Sequence, residues 1–358
     1  MSRIFVHGLG AVSPAGWGVP ALVAAVEKNI SLTAAPHARP GQTMPLAVRP
    51  VPPPVHRPAF LAHPRLRRAS PIAQYVVAAA LEALADDAAQ VQTGALRLGV
   101  IVCTLAGSVA YSRRFYEEAL REPATASPLI FPETVFNAPA SHLAAYLSST
   151  AINYSLVGDD GTFLQGLALG AQWLAQNRVD GCVVVGAEEL DWIVADAARL
   201  FHPETVLGAG AGALYLKRGA RLAFPESSGS GRAEGGMNCV AELAAITDPF
   251  LFTARQTRAL AARNMRAQLP PAPEGTALCL GTQNIPRLDA AELAAWADWA
   301  GPRLAPKQIL GEAFTASAAW QTVAGCEALR AGRFSAVDVS VVGANEQAIG
   351  ARFLQTNL

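Results

Sequence analysis

The chain has 358 residues, of which 51% are hydrophobic and only 16% are charged. This composition excludes an intrinsically disordered chain, because enough apolar surface can be buried to offset the entropy of ordering. The 28 basic and 28 acidic residues balance, and without a basic excess we expect no nucleic-acid partner. The five cysteines are widely spaced, and the sequence shows no signal-peptide profile. No apolar run approaches the ~20 residues of a membrane span. We therefore predict a cytoplasmic protein without a membrane span.

Short β-branched runs alternate along the chain with longer Ala- and Leu-rich stretches, which is typical of a layered α/β protein. The predicted strands are Ile4–His7, Leu98–Thr104, Ala151–Leu156, Cys182–Gly186, Ala211–Leu216, Met237–Ile246, Thr276–Leu280, Val337–Gly343 and Ile349–Leu354. The predicted helices are Pro71–Leu84, Ala110–Leu120, Thr162–Gln176, Ala254–Gln268, Ala290–Trp299 and Ser317–Ala331. Residues 35–64 contain many prolines without a clear period, and we predict an excursion over the surface there.

The two halves of the chain repeat a pattern. Residues 226–236, rich in Ser and Gly, are predicted to be a linker between an N-terminal half, 1–225, and a C-terminal half, 237–358. The repeated pattern is an apolar helix, a polar turn, and then a buried strand that ends in Gly-Ala and an acid. The strand and its end are Cys182–Glu188 in the first half and Val339–Glu346 in the second. We therefore predict an internal duplication.

Five segments, in order along the chain, resemble β-ketoacyl synthases. They are the Gly-rich turn in Val6–Gly16, Arg67–Ser70 before a helix, Gly208–Ala213, Gly281–Thr282 followed by Asp289 and Glu292, and Lys307–Ser317. The third is similar to the family's GEGAGA segment with Ala209 in place of the acid, the fourth to its HGTGT…GDxxE stretch, and the fifth to its K…GHxxGAA region. The resemblance covers essentially the whole chain. It implies the thiolase fold, an α/β architecture of five αβαβα layers from two pseudo-symmetric halves.

The catalytic residues of the family are one Cys at the start of a buried helix and two His, and the resemblance places these positions on Asp160, Leu280 and Glu312. An Asp would have to form a mixed anhydride that hydrolyses readily. Leu offers neither a proton nor a hydrogen-bond donor, and an ionised Glu would repel a malonyl carboxylate and an enolate alike. The family's Lys is retained as Lys307, which cannot run the reaction alone. The resemblance therefore implies that this chain has no catalytic set.

Structural roles are available for the two acids. Asp159 or Asp160 is expected to cap the helix that begins at Thr162, and Glu312 is expected to make a polar contact or a cap before the next helix. The six histidines lack the spacing of a metal site, and no GxGxxG follows the first strand. We therefore expect neither a metal nor another cofactor.

A ketosynthase-like chain without the Cys/His/His set resembles a chain-length factor, an inactive homologue that pairs with an active ketosynthase in iterative type II polyketide or polyene assembly. The resemblance implies a heterodimer with a catalytic ketosynthase, an acyl carrier protein reached through the complex, and, among products, aryl polyenes. The implied interface strand consists of Ala151, Ile152, Asn153, Tyr154, Ser155, Leu156 and Val157. The implied tunnel residues are Leu105, Ala106, Phe131 and Phe136, for which ordinary core packing is the alternative.

Two other functions remain open at this point. One is a free-standing malonyl decarboxylase or acyltransferase that uses Asp160, although decarboxylating relatives keep both His residues. The other is a homodimeric protein that binds acyl groups. A neighbouring gene for a complete ketosynthase would favour the heterodimer over both.

Overall fold

The computed structural model describes residues 3–150, 152–219, 239–344 and 346–356. The expected linker at 226–236 and Ala151 of the expected interface strand lie outside the described residues. The strands are β1 Ile4–Ser13, β2 Gly16–Trp17, β3 Ala35–His37, β4 Leu46–Arg49, β5 Leu98–Thr104, β6 Asn153–Val157, β7 Gly181–Glu188, β8 Leu207–Gly208, β9 Gly210–Arg218, β10 Ala241–Ile246, β11 Phe250–Leu251, β12 Thr276–Cys279, β13 Arg303–Leu304, β14 Ala336–Val342 and β15 Gln347–Leu354. The helices are α1 Val19–Lys28, α2 Pro71–Leu84, α3 Asp87–Gln92, α4 Val109–Arg121, α5 Ala138–Tyr146, α6 Thr162–Ala175, α7 Trp192–Phe201, α8 Arg255–Gln268, α9 Pro286–Ala295, α10 Pro306–Leu310 and α11 Phe314–Arg330.

Both halves of the chain build the same five-stranded sheet. The order is β1-β9-β7-β5-β6 in the N-terminal half and β10-β15-β14-β12-β13 in the C-terminal half. In each sheet the first two strand pairs are antiparallel and the last two are parallel. Strand β1 pairs with β10 and joins the two sheets. The predicted duplication is confirmed, since β7 and β14, which carry the repeated sequence, occupy equivalent positions.

Helices fill the space between and outside the sheets. Helices α6 and α11 lie in the middle, α2 and α5 cover the N-terminal sheet, and α8 and α9 cover the C-terminal sheet. The middle layer packs so closely that glycine is required on the facing strands. A Cβ atom on Gly186 would lie 2.3 Å from the Thr315 carbonyl oxygen, and one on Gly212 would lie 2.7 Å from Ala319 Cβ. The result is the five-layered αβαβα arrangement that the family resemblance implies.

Residues 35–64 are more ordered than the predicted surface excursion. They contain β3 and β4, which form a small sheet with β8. Leu46 and Val48 are buried there against Leu207 and Ala195. Strands of three and four residues are too short to show a period, so the sequence pattern missed them.

Several helices also differ from the predictions. Helices α1, α3, α5, α7 and α10 were not predicted. Helix α9 begins at Pro286 and ends at Ala295, whereas the predicted helix runs from Ala290 to Trp299. Trp296 lies beyond the helix and is buried, with its indole N–H donating to Ser340 Oγ at 3.1 Å. In the described part of the chain, no helix combines the length and apolar character needed to cross a membrane.

Candidate functional site

Three of the expected site residues meet in a buried ionic cluster, which we call the buried triad: Asp160, Lys307 and Glu312. Asp160 lies just before α6, Lys307 lies in α10, and Glu312 lies between α10 and α11. The ammonium of Lys307 donates to the carboxylate of Asp160 and to Glu312 Oε2, the latter at 2.8 Å. The Lys307 and Asp160 side chains are each 3% exposed. Two of the three catalytic positions implied by the resemblance, Asp160 and Glu312, thus belong to a buried ion cluster.

Glu312 uses its remaining lone pairs locally. Its Oε1 accepts the backbone N–H of Phe314, the first residue of α11, at 2.8 Å, and its Oε2 also accepts from Gln283 Nε2 at 2.5 Å. The expected cap before the next helix is therefore confirmed for Glu312. Gln283 was missed from the sequence, although a polar residue three positions after Leu280 was a signal for it.

Of the two acids expected to cap α6, Asp159 accepts an N–H at the start of the helix, whereas the carboxylate of Asp160 is bound to Lys307. The N-cap of α6 is Gly161, which makes no side-chain cap bond. Asp159 instead accepts the Gly161 N–H at 3.1 Å and the Gln347 side-chain amide at 2.9 Å. Asp159 thus ties the start of α6 to β15 of the other half.

The charged groups of the buried triad shift one another's pKa values. Burial raises the pKa of Glu312, and the neighbouring Asp160 carboxylate raises it further. Burial alone would lower the pKa of Lys307, but the two carboxylates outweigh it and raise that pKa. A lysine held in its charged form is neither a nucleophile nor a general base. Two fully buried thiols, Cys103 and Cys182, have pKa values raised by burial and offer no thiolate in its place.

Leu280 lies in an apolar cluster with Leu278, Met265 and Val342. The loop that follows it is held by two buried carboxylates of α9. Asp289 accepts the backbone N–H of Gln283 at 3.0 Å, and Glu292 accepts that of Gly281 at 3.1 Å. The acids of the GDxxE-like motif thus shape this loop and direct Gln283 towards Glu312.

A polar cavity of about 210 Å³ reaches the buried triad. Its lining includes Arg49, Glu204, Gln283, Lys307 and Glu312. Within the described ranges, no group of three or more His, Cys, Asp or Glu side chains is arranged to hold a metal ion.

The expected interface strand is the edge of the N-terminal sheet. Strand β6 pairs with β5, and the described residues place no strand on its other side. Tyr154 and Val157 are 48% and 52% exposed. Ile152 and Leu156, in contrast, pack against the core of this chain. Of the described interface residues, Asn153 and Val157 are exposed, and Tyr154 is exposed in part while its ring lies edge-on to the buried Trp173 of α6, with 5.2 Å between the ring centroids.

The expected tunnel residues lie in the loop after β5 and in the segment before α5, the helix that contacts β6. Phe131 and Phe136 are 56% and 44% exposed, so the alternative of ordinary core packing is wrong for both. The Phe136 ring lies against Gly107, where an added Cβ would be 2.6 Å from its Cδ1. Leu105 and Ala106 are half-buried in the loop after β5.

Helix α4 and the segments around it expose further apolar side chains. None of the residues of α4 is buried, although the helix is amphipathic. Residues 131–133 contact α4, and α5 contacts β6. We call the exposed apolar side chains of these segments the edge face; they are Tyr116, Leu120, Leu129, Phe131, Val135, Phe136, Tyr154 and Val157.

A family model, the β-ketoacyl synthase N-terminal domain, matches residues 1–245. The chain belongs to the β-ketoacyl synthase family. The match includes Asp160, while Leu280, Lys307 and Glu312 lie beyond it. No curated protein sequence matches the chain.

Solved structures share the thiolase-type fold of this β-ketoacyl synthase homologue. The ishigamide ketosynthase/chain length factor is 19% identical with a TM-score of 0.76, and the alignment covers 99% of this chain and 100% of that one. A β-ketoacyl synthase from Burkholderia phymatum is 17% identical with a TM-score of 0.78 and full coverage of both chains, 100% each. A type II polyketide ketosynthase, solved in complex with its acyl-carrier protein and bound to the hexaketide, is 15% identical with a TM-score of 0.76 and covers 99% of each chain.

Proposed function

We propose that this chain is a non-catalytic chain-length factor that forms a heterodimer with a catalytic ketosynthase in iterative type II polyketide or polyene synthesis. The observation that carries the proposal is the buried triad, since an ion-paired Asp, a Lys and a capping Glu occupy the centre where the family needs a thiol and imidazoles. Two of the similar solved structures are described as ketosynthase/chain length factor proteins. An aryl polyene is the product class that we propose, on the sequence resemblance alone.

The heterodimer is supported by β6 and the edge face. An edge strand presents unpaired N–H and C=O groups, which a strand of a second chain can satisfy. Exposed apolar patches of this kind mark protein interaction sites. Obligate interfaces commonly bury more than about 2,000 Å², and the low charged fraction of this chain suits one. A homodimer would use the same edge, and the assembly experiment below distinguishes the two.

The tunnel role is supported by the exposure of Phe131 and Phe136 beside β6. Aromatic rings that project from an interface can enter a cavity of the partner, where their size limits the length of a bound chain. Leu105 and Ala106 lie in the adjoining loop, next to Gly107 and the Phe136 ring. We assign these four residues to the wall of the acyl tunnel.

Contact with the acyl carrier protein is supported by an arginine-rich stretch. The sequence contains no Asp or Glu between Glu27 and Glu82. Arg57, Arg65 and Arg67 are exposed there, and in the described residues none has an ion-pair partner. A one-sign patch on a neutral protein steers an oppositely charged partner, so we assign it to an acidic surface of the carrier protein.

A free-standing decarboxylase or acyltransferase has less support, because the carboxylate it would use is that of Asp160, which is buried and paired with Lys307. The direct test is to assay the purified chain with malonyl-carrier protein for loss of carbon dioxide. We expect none from the wild type, and none from Asp160→Cys, because the imidazole pair is still missing. Decarboxylation by the chain alone that disappears in Asp160→Ala would refute the proposal.

The assembly test is co-expression with the ketosynthase encoded beside this chain, followed by size-exclusion chromatography. A tight 1:1 complex that makes polyketide or polyene product is expected. A stable monomer or homodimer that ignores every co-encoded ketosynthase would contradict the heterodimer.

A further inference from the structure

Strand β7 ends in a run of buried acids. Glu188 and Glu189 are each 2% exposed, and Asp191, two residues on, is 4% exposed. None of them belongs to the buried triad. Buried carboxyl groups are costly unless their hydrogen bonds are made, so their partners identify what they hold in place.

Glu188 holds the loop that carries the expected tunnel residues. Its Oε1 accepts the backbone N–H of Leu105 at 2.5 Å, and its Oε2 accepts that of Ala106 at 3.1 Å. The hydroxyl of Thr104 lies 3.2 Å from Oε2. Both backbone donors at the turn after β5 therefore depend on one side chain, and each uses a different oxygen.

The charge state of Glu188 fits this environment. Burial raises the pKa of Glu188 to about 8, although the surrounding donors oppose the shift. The Thr315 hydroxyl donates to the Cys103 carbonyl at 2.8 Å and also lies 3.2 Å from Glu188 Oε1, so it is one of the donors that face this carboxyl group.

Glu189 and Asp191 hold α4 itself. Glu189 Oε1 accepts the N–H of Ala110 in the first turn of α4 at 2.8 Å, and its Oε2 accepts that of Ile72 in α2 at 3.1 Å. Asp191 accepts from Arg113 Nε, one turn further along α4, at 2.9 Å. Glu189 thus fixes α4 against the well-packed α2.

We infer that Glu188, Glu189 and Asp191 form an acid clamp, a set of positioning residues that fix the Leu105–Ala106 loop and α4 in the geometry that the acyl tunnel and the partner require. No residue of α4 is fully buried, so the hydrogen bonds to Glu189 and Asp191 add to a limited apolar packing of the helix and fix its position. The effect of the clamp on product length rests on the proposed function, whereas its effect on the position of the loop does not.

The test compares Glu188→Gln and Glu189→Gln with a matched control, Glu82→Gln. In each acid the two oxygens accept different backbone N–H groups, so a Gln leaves one donor facing an amide NH₂. Glu82 binds Ala11 and Val19, remote in sequence from the loop and α4. The three variants are expected to lose similar amounts of stability. If only the Glu188 and Glu189 variants change the Leu105–Ala106 loop and α4, the effect comes from the clamp and not from general destabilisation.

The first measurement is hydrogen exchange of the chain in its complex, which needs no enzymatic activity. We expect amides 104–113 to exchange about tenfold faster in the two clamp variants than in the wild type or Glu82→Gln, as the loss of one buried hydrogen bond implies. Unchanged exchange in that segment would overturn the clamp.

The second measurement is the product-length distribution of the same complexes by mass spectrometry. A broadened or shifted distribution in the clamp variants, with Glu82→Gln like the wild type, is expected. Faster exchange with unchanged products would overturn the role of the clamp in length control. A wild-type chain that forms no active complex would overturn the proposed function, and exchange in the chain alone would then decide the clamp.

Discussion

Replacement of Lys307 by methionine is expected to destabilise the chain by about 3–5 kcal/mol, because it leaves Asp160 and Glu312 buried without a cation. Methionine has a similar length and no charge, so the cavity left behind is small and the electrostatic loss dominates. The change removes the one positive charge of the buried triad and leaves two like charges in contact with apolar neighbours.

The contact distance sets the magnitude. At 2.8 Å and an effective dielectric constant of about 20, the attraction between Lys307 and Glu312 is roughly 6 kcal/mol before the cost of removing both charges from water, which is several kcal/mol per ion. Burial and Asp160 already raise the pKa of Glu312, and without Lys307 that pKa rises further. A raised pKa in the folded state favours folding at low pH, so the loss should be smaller at pH 5 than at pH 8.

The assay is urea denaturation followed by tryptophan fluorescence at both pH values. The matched control is Lys217→Met, since Lys217 pairs with Asp87 at a site where the two side chains remain 26% and 18% exposed, and the change should cost about 1 kcal/mol or less. Combining Lys307→Met with Asp160→Asn and Glu312→Gln should recover most of the loss. A Lys307→Met variant within about 1 kcal/mol of the wild type at pH 8 would refute the reasoning.

Three further predictions concern the interface, the tunnel and the pH response. Val157→Asp should abolish the heterodimer in size-exclusion chromatography while the chain stays folded, because the Val157 side chain is 52% exposed. Ile152→Asp should instead unfold the chain, as measured by circular dichroism, because Ile152 packs against the core. Phe136→Ala should lengthen the products by C2 units, and Ala106→Phe should shorten the products, as measured by mass spectrometry. Phe136→Ala should also destabilise the chain by less than the about 3–5 kcal/mol of a buried Phe, because the Phe136 side chain is 44% exposed. Since burial raises the pKa of Glu188 to about 8, stability should fall as pH rises from about 5 to 8, by up to roughly 1.4 kcal/mol per pH unit from this group, and Glu188→Gln should flatten that slope in urea titrations. Unchanged dimerisation, product lengths or pH slopes would contradict each in turn.

The amino-acid sequence by itself determined the fold class, and it led to the prediction that the catalytic set is missing. Buried strands such as Leu98–Thr104 and helices such as Pro71–Leu84 were predicted with their observed bounds, because their apolar runs are long and Pro71 marks a first turn. The repeat between Cys182–Glu188 and Val339–Glu346 predicted the two equivalent sheets. The prediction that a thiol and imidazoles are missing at Asp160, Leu280 and Glu312 rests on residue identity and on the family resemblance, and it needs no structure.

Only the tertiary structure decided which residues meet. Asp160 and Lys307 are 147 positions apart, and no local pattern indicates that a presumed cap residue is bound by a lysine of the other half. The exposure of Phe136 was equally hidden, since a single aromatic near a strand has no period and usually packs inside. Local sequence reports the periodicity of one element, whereas contacts between elements depend on how the layers assemble around it.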